Sequence, residues 1–522
     1  MNLRIPFVIL LVVCTATTAP GLELRPLGVH ETGVFDESAA EIVQYHPDTK
    51  RLYVTNGNLG GVDVISLADP SAPRRLFGIE AGPGESVQSV AVSKDLVALA
   101  VAAPEKTDPG KVVFFRPDGR FLAEVEVGPQ PDMVTFTPDG KVLLSANEGE
   151  PSEDYAVDPR GSVSIIDIPG PSESFGRALN LGFEGIYPSA LTGIHPGNPS
   201  SSLAQNLEPE YIAVAPDGSI AMVTLQEANA VAIIDLSDRT IRRVVGLGFK
   251  DHREHPFDAS DRDDGIRIRP WPVFGLYQPD SIIAFSVGGE TFFATANEGD
   301  SREYGRWNEE TRVGDLALDP TAFPKARDLQ RDRNLGRLKT TAILGDDDGD
   351  GDHDRIFAFG GRSFSILDRD GNTVFESGDW IEKRLAELLP DSFNSDNDEN
   401  DSFDERSDDK GPEPEALAFA RIDGRAVLFV GLERTSSLLA FDVSDPASPA
   451  WLGFANPRDF SGDAEKGTAG DLGPESMVVI PAAESPSQTP LLVVANEVSG
   501  TTRIHEIVMD PSGGNPPPDS AK

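Results

Sequence analysis

The sequence predicts an all-β chain: one seven-bladed β-propeller, with eight blades as the runner-up, carrying long inter-blade insertions and one or two short helices. Three observations carry this expectation. A hairpin plan recurs along the chain, each copy is followed by further strand-like sequence, and a four-stranded unit repeated radially makes a propeller. The length of 522 residues alone would suggest about three domains, but internal repeats override that prior. The 50 Gly and 42 Pro fit a chain with many tight turns.

The units run in order. EIVQYHPDTKRLYVTN with GVDVISL, and VQSVAVSKDLVALAV with KVVFFRPDGR, form the first two. QPDMVTFTPDGKVLLSANE starts at Gln130, EPEYIAVAPDGSIAMVTLQE at Glu208 and QPDSIIAFSVGGETFFATANE at Gln278. PEALAFARIDGRAVLFVGLE starts at Pro414 and PESMVVIPAAESPSQTPLLVVANE at Pro474. Period-2 alternation flanks the turn dipeptides Asp139-Gly140, Asp217-Gly218, Gly288-Gly289 and Asp423-Gly424, the signature of β-hairpins. GSVSIIDI, AVAIIDLS, SLLAFDVS and TTRIHEIV supply third strands, and RIFAFGGRSFSILDRDGNTVFES supplies the outer strands of the unit begun at Gln278. The strand around Leu24 to Val29 is expected to join the last blade and close the ring. Blades need roughly 40–45 residues, and the surplus falls near 168–207, 246–277, 300–353 and 377–412. Helices are expected in DWIEKRLAELLP, with Trp380 or Ile381, Leu385, Leu388 and Leu389 on one face, and more weakly from Pro324 to Asn334.

Residues 1–21 read as a secretory signal, with an apolar stretch from Ile5 to Val13 that is short of the roughly 20 residues needed to span a bilayer. Residues 22–510 then form a single propeller domain, 511–522 a disordered tail, and the location is extracytoplasmic: secreted, periplasmic or cell-surface associated. The only cysteine, Cys14, lies inside the signal, so disulfides, thiolate metal sites and cysteine catalysis are excluded from the mature chain. The formal net charge of −41 argues against nucleic acid and anionic membranes and favours divalent cations or cationic partners.

Five hairpins carry an acid at each end. Counting outward from the turns places Asp132 opposite Asn147, Asp280 opposite Asn297 and Glu415 opposite Leu432, with Glu148, Glu298 and Glu433 one residue later. By the same count Glu210 lies near Glu227, and Glu475 near Glu497. If these strands are the innermost of their blades, the acids line one funnel at the mouth of the central channel. Two carboxylates roughly 5 Å apart repel by about 3 kcal/mol at an effective dielectric near 20, so bound cations, interleaved bases or retained protons must neutralise them. Arg302, Arg406, Lys410 and Arg434 sit beside these motifs and are candidates for internal ion pairs.

DDDGDGDHD supplies a second acidic feature. Asp346, Asp348, Asp350 and Gly351 fit the opening of a calcium loop, Asp352 is placed to offer its carbonyl and Asp354 a water-mediated contact. Phe357 stands where an EF-hand has its closing acid. A third run, FNSDNDENDSFDERSDD, is expected either to stay solvated or to be ordered by a cation. Asn400-Asp401-Ser402 is a glycosylation triplet, and His252 and His255 have a loose metal-ligand spacing. No P-loop, nucleophile elbow, zinc-protease helix or dinucleotide fingerprint is present.

EPEYIAVAPDG, TLQEANAVAIIDL, GFKDH, QPDSI, ANEGDSREY, FNSDNDENDSFDERSDDKGPEPE, GLERT and VANEVSGTT together resemble the choice-of-anchor I family. That family includes mesenchyme-specific cell-surface glycoproteins linked to biomineral deposition, and its relatives include proteins named as atypical alkaline phosphatases. The likeness runs from about Glu41 to Ile507 and implies an exported propeller held at surfaces in different ways in different members. After Asp510 there is no apolar tail or sorting signal, so direct anchoring is not expected there. The resemblance supplies no catalytic residues. Two readings follow: a surface or matrix binding protein holding Ca2+, and a metal-dependent phosphomonoesterase in which Lys250, Arg302, Lys410 or Arg434 clamps phosphate beside metal-bound water.

Overall fold

A computed structural model describes residues 21–170, 172–186 and 192–509. Within them the hairpins fold into seven four-stranded antiparallel sheets. Their first strands are Val43–His46, Ser86–Val92, Pro131–Phe136, Ile212–Val214, Ile282–Val287, Pro414–Ile422 and Pro474–Ile480. Each first strand packs against the first strand of the next sheet, and the last packs against the first. This closed ring of inner strands is the propeller arrangement.

Burial follows distance from the ring. The second strands Val97–Ala102, Ile220–Leu225 and Leu491–Asn496 are buried at every residue, because neighbouring sheets cover both faces, and so they read as continuous apolar runs. The outer strand Arg74–Glu80 is largely exposed and alternates little. The apolar residues sit between sheets: Val97, Leu99 and Val101 of the second pack against Tyr53, Val62 and Val64 of the first. Two hairpins turn through Gly288-Gly289 and Asp423-Gly424, all four residues at positive φ, as two-residue hairpin loops require.

The N-terminal strand Leu22–Glu31 pairs with Thr501–Met509 and completes the sheet begun by Pro474–Ile480. It is longer than the expected Leu24 to Val29 and carries a register shift between Pro26 and Gly28. A Cβ on Gly28 would lie 2.3 Å from the carbonyl oxygen of Pro70, so only glycine fits that approach to the first sheet.

The insertions are more ordered than their composition suggests. Those expected at 246–277 and 300–353 fold together, with Phe249–Asp251, Phe274–Leu276, Phe357–Ala358, Lys339–Thr341 and Glu310–Arg312 forming one five-stranded sheet. It covers its own core of Phe257, Trp271, Val273, Val313, Leu335 and Ile356. Leu179–Gly182 is the outer strand of the third sheet, so that insertion begins later than 168. The helix Trp380–Leu388 forms and buries Ile381 and Leu385. Between Pro324 and Asn334 only Ala326–Leu329 is α-helical, followed by a π turn at Asp332–Gly336. Among the described residues no helix is long and apolar enough to cross a membrane. The signal expected at 1–21, save Gly21, and the tail expected at 511–522 lie outside the described residues.

Deleting residues 22–31 would leave Thr501–Met509 with an unpaired edge. Such a variant is expected to elute as dimers or larger species in size-exclusion chromatography; a monomer with an unchanged unfolding midpoint would contradict closure by this strand.

Candidate metal centre at the axial mouth

One irregularity recurs where each first strand begins. The pairing register slips between Val87 and Ser89, Pro131 and Met133, Pro414 and Leu417, and Pro474 and Ser476. In the other three sheets two consecutive residues face one partner: Glu41 and Ile42 both bond Thr55, Glu210 and Tyr211 both bond Thr224, and Asp280 and Ser281 both bond Ala296. These are β-bulges, which re-aim a side chain at the cost of one ladder position. The bulged positions include Glu41, Gln88, Asp132, Glu210, Asp280, Glu415 and Glu475, six acids and one amide. Asp132 is therefore not opposite Asn147, which pairs with Pro131, and Glu415 is not opposite Leu432, which pairs with Pro414. Asp280 likewise bonds Ala296 rather than facing Asn297. Strict counting missed the extra residue.

A cavity of about 90 Å³ lies among the bulges, lined by Glu41, Gln88, Asp132, Tyr211, Asp280 and Glu475. Burial pushes the carboxyl groups of Glu41 and Asp132 up to about 7, Glu41 helped by Glu497 and Asp132 by Glu150. Burial also raises Asp280, Glu415 and Glu475 well above the carboxylate range, with further repulsion chiefly from Glu298, Glu475 and Glu497 respectively. Glu41 was missing from the sequence-based set because its hairpin lacks the acidic ending.

The recurrent Asn-Glu ending divides its labour. Asn147 is fully buried and donates to Ser162 and Ser164 of the next strand, and Asn297 does the same to Ser363 and Ser365. The Asn thus fastens the second strand to the third, while the following Glu turns to the mouth. The backbone N–H groups of Glu148, Glu433 and Glu497 donate to the carbonyls of Gln130, Glu413 and Gly473, the residues just before each Pro. Gln130, Gln278 and Glu413 hold φ between 45° and 48° there, a conformation that costs a non-glycine residue about 1–3 kcal/mol and marks a constrained position.

Two buried carboxylate groups result. Glu148, Glu210 and Glu227 each bring an oxygen within 4.8 Å of the others, and so do Glu298, Glu413 and Glu433. Their electrostatics differ. Glu413, fully buried, is ion-paired with Arg406 at 2.7 Å, Arg434 at 2.9 Å and Lys410 at 3.1 Å. Burial alone would raise its carboxyl, but Arg434, Lys410 and Arg406 outweigh that and hold it well below the usual range. Lys410 also pairs with Glu298, and Arg434 lies 3.4 Å from Glu433, which burial nonetheless raises to about 8. Among the described residues no base forms an ion pair with the first group, although the charge of Arg302 acts on Glu227. Gln130 donates to Glu148, and one oxygen each of Glu210 and Glu227 lacks any hydrogen-bond partner. Burial drives Glu148, Glu210 and Glu227 well above the carboxylate range, with added repulsion foremost from Glu150, Glu227 and Glu208 respectively.

The remaining expected bases are committed elsewhere. Arg302 is fully buried and donates to Glu208 at 2.7 Å and to the carbonyl of Asn206 at 2.8 Å, so its ion pair is with Glu208 at the edge of the mouth, while its charge also eases the ionisation of Glu227. Lys250 is a correction: its ammonium is spent on the carbonyls of Gly361 and Gly378 and on Glu376, none of them a mouth residue. Residues the sequence did not single out, Glu150, Glu208 and Glu413, complete the mouth. Tyr304, from the short hairpin Glu303–Tyr304 and Trp307–Asn308, donates to Glu150 at 3.1 Å, and Gln130 joins Glu150 to Glu148.

The Asp346 to Asp354 turn lies outside this centre. Asp346, Asp348 and Asp354 form one acid group, and Asp352 and Asp354 form another with Asp319, brought in by the bridge between Leu318 and His353. Asp350 belongs to neither, and Gly351 bends the chain at φ +97°. The acids already receive backbone N–H bonds, Asp346 from Gly349, Asp350 and Gly351.

The run from Asp391 to Asp409 is folded against the protein, with Asp391, Glu399, Asp401 and Glu405 left exposed: Arg458 binds the carbonyls of Asp396, Glu399 and Arg434, and Arg406 binds Glu413. Asn400 is engaged by Arg458 and by the carbonyls of Asp459 and Gly462, leaving its amide poorly placed for a glycan. His252 packs on Phe257, and burial, then Lys250, holds it neutral.

The fold and mouth define a β-propeller whose sheets deliver buried carboxylates to one axial opening. The chain belongs to the choice-of-anchor I domain family, whose domain matches residues 41–446. Gigasin-3a of Magallana gigas is 31% identical over 194 residues, 35% of this chain and 68% of that protein. A mesenchyme-specific cell surface glycoprotein of Strongylocentrotus purpuratus is 27% identical over 282 residues, 47% of this chain but only 36% of that protein's length. Hydrazine synthase of Kuenenia stuttgartiensis is similar at a TM-score of 0.46 and 12% identity, over 91% of this chain and 97% of that one. The Cps50 (Swd1) β-propeller domain of Myceliophteria thermophila gives 0.45 and 9%, over 93% and 100%. At these scores neither structure bears on fold or function.

Two outcomes follow from the charges. A carboxyl whose folded-state proton affinity is raised stabilises the fold below its unfolded value near 4, and that contribution is lost as pH rises through the folded value. In chelator the unfolding midpoint should therefore fall between about pH 5 and about pH 8, the window set by Glu41, Asp132 and Glu433; a midpoint that rises there would contradict the uncompensated acids. Glu413→Gln removes the carboxylate shared by three half-buried cations, each of which keeps a second acid, and should cost about 1–3 kcal/mol in denaturant unfolding.

Proposed function

We propose that the chain is an exported, surface- or matrix-associated binding protein, a seven-bladed propeller that depends on calcium held in its acidic mouth. Family membership and the likeness to a mesenchyme-specific cell surface glycoprotein support a surface location. The observation that carries cation dependence is the imbalance at the mouth: Glu148, Glu210 and Glu227 converge, one oxygen each of Glu210 and Glu227 is buried without a hydrogen-bond partner, and among the described residues no base is ion-paired with any of the three. Hard divalent cations prefer such oxygen ligands. The Asp346 to Asp354 turn, with Asp319, is the second calcium site of this reading, and a metal-held anionic ligand, at an extracellular surface or mineral, is its partner.

A metal-dependent phosphomonoesterase is the second reading. It is favoured by a cavity of about 290 Å³ beside the mouth that presents Lys339, Arg406, Lys410 and Arg434. Against it, every one of these bases is already ion-paired, and no nucleophile or general base is assigned.

Titration calorimetry with CaCl2 and unfolding in chelator test the first reading. Calcium should bind and raise the midpoint, stabilising the fold by about 2.7 kcal/mol at a hundredfold excess over Kd. Asp346→Asn with Asp348→Asn should remove part of the stoichiometry. Absence of heat together with a chelator-indifferent midpoint refutes it. Calcium-dependent turnover of a phosphomonoester that Glu298→Gln abolishes would establish the second reading instead.

A further inference from the structure

The mouth contains two carboxylate triads of the same compactness and opposite electrostatic completion, and the difference assigns them different tasks. We infer that Glu148, Glu210 and Glu227 form a discrete site for one hard divalent cation, calcium, while Glu298, Glu413 and Glu433 take none. This deepens the calcium reading above and rests on it.

Geometry admits an ion in either triad. Two oxygens each about 2.4 Å from one calcium lie at most about 4.8 Å apart, and both triads meet that limit. Charge separates them. Three bases, Lys410, Arg406 and Arg434, converge on Glu413, so that triad is neutralised from within. An added dication would have to displace or repel them. In the first triad the amide of Gln130 donates to Glu148, among the described residues no base forms an ion pair with any of the three carboxylates, and Arg302, whose charge acts on Glu227, is itself ion-paired with Glu208. Glu210 is 8% exposed and Glu227 4%, and each keeps one oxygen without a hydrogen-bond partner. Buried carboxylate oxygens are rarely left so; Glu413 also has one, but Arg434 and Lys410 stand 2.9 Å and 3.1 Å from it, whereas at Glu210 and Glu227 a cation would supply what the protein does not.

The triad also joins two sheets. Glu148 follows the second strand of the third sheet, whereas Glu210 and Glu227 flank the hairpin of the fourth. An ion there would bridge neighbouring sheets at the axis. Tyr304, linked to Glu148 through Glu150 and Gln130, places a phenol near enough to sensitise bound terbium.

The test uses the full chain carrying Asp346→Asn, Asp352→Asn and Asp354→Asn, which removes two acids from each of the two acid groups of the turn, titrated with CaCl2 by calorimetry and with Tb3+ by tyrosine-sensitised luminescence. The parent should bind one ion. Glu227→Gln should weaken binding at least tenfold, on the order of what loss of metal-site groups costs, and Glu433→Gln should leave it unchanged. In chelator Glu227→Gln should unfold no earlier than the parent, since a repelling charge is removed; Glu210→Gln serves if that variant does not fold. Wild-type affinity in Glu227→Gln, or loss in Glu433→Gln, overturns the assignment while leaving calcium binding standing. A parent that binds no ion overturns both the assignment and the calcium reading of the mouth.

Discussion

The constraint on which the rest depends is the ring of first strands together with the bulge that opens each of them. Closing seven sheets around an axis brings seven chain segments from distant parts of the sequence within reach of one another. The bulge then fixes what they present. Without it the bulged residue would follow the strand's alternation; with it, six acids and Gln88 are redirected together. A closed ring amplifies any choice made at an equivalent position, because the same side chain is delivered again from every sheet.

That amplification creates an electrostatic problem, solved in two ways across the mouth. Around the sixth sheet the chain supplies its own counter-charges: the acidic run from Asp391 to Asp409 folds back on Arg406 and Arg458 and brings Lys410 over Glu298 and Glu413. Around the fourth sheet the available guanidinium is withdrawn, because Arg302 is buried against Glu208 and Asn206. Glu309 extends this network, bonded to His195 at 2.7 Å, and is held at about 2: burial opposes ionisation, but His195 and Arg302 overcome it. The arginine shapes the uncompensated side without neutralising it.

The architecture was legible because each signal was local. Gly288-Gly289 and Asp423-Gly424 mark two-residue turns, and the continuous apolar run VALAVA follows from burial on both faces. Register at the axis was not legible, since a bulge inserts a residue without a distinctive side chain, and counting from the turns put Asp132 and Glu415 one place off. Lys250 misled for another reason: a lysine beside acidic motifs looks free in sequence, while its three acceptors come from residues more than a hundred positions away. A usable signal was overlooked. The residue before Pro in QPD, EPE, QPD, EPE and GPE varies as Gln130, Glu208, Gln278, Glu413 and Gly473, and that position separates the sides of the mouth. Gln130 feeds Glu148, Glu208 takes Arg302, and Glu413 gathers three bases.

Cohesion near the axis therefore rests on a different force from cohesion farther out. Between sheets the second strands bury valine, leucine and phenylalanine, and each large apolar side chain so buried is worth about 1.5–3 kcal/mol. At the mouth the sheets converge with their polar ends, and little apolar surface is left to bury there. What holds adjacent sheets together at that end is the neutralisation of shared charge: Lys410 joins Glu298 of the fifth sheet to Glu413 at the start of the sixth, and Gln130 and Glu148 of the third face Glu210 and Glu227 of the fourth. The first junction is complete in the polypeptide itself. The second has the same compactness, but among the described residues no ion pair to Glu148, Glu210 or Glu227 completes it.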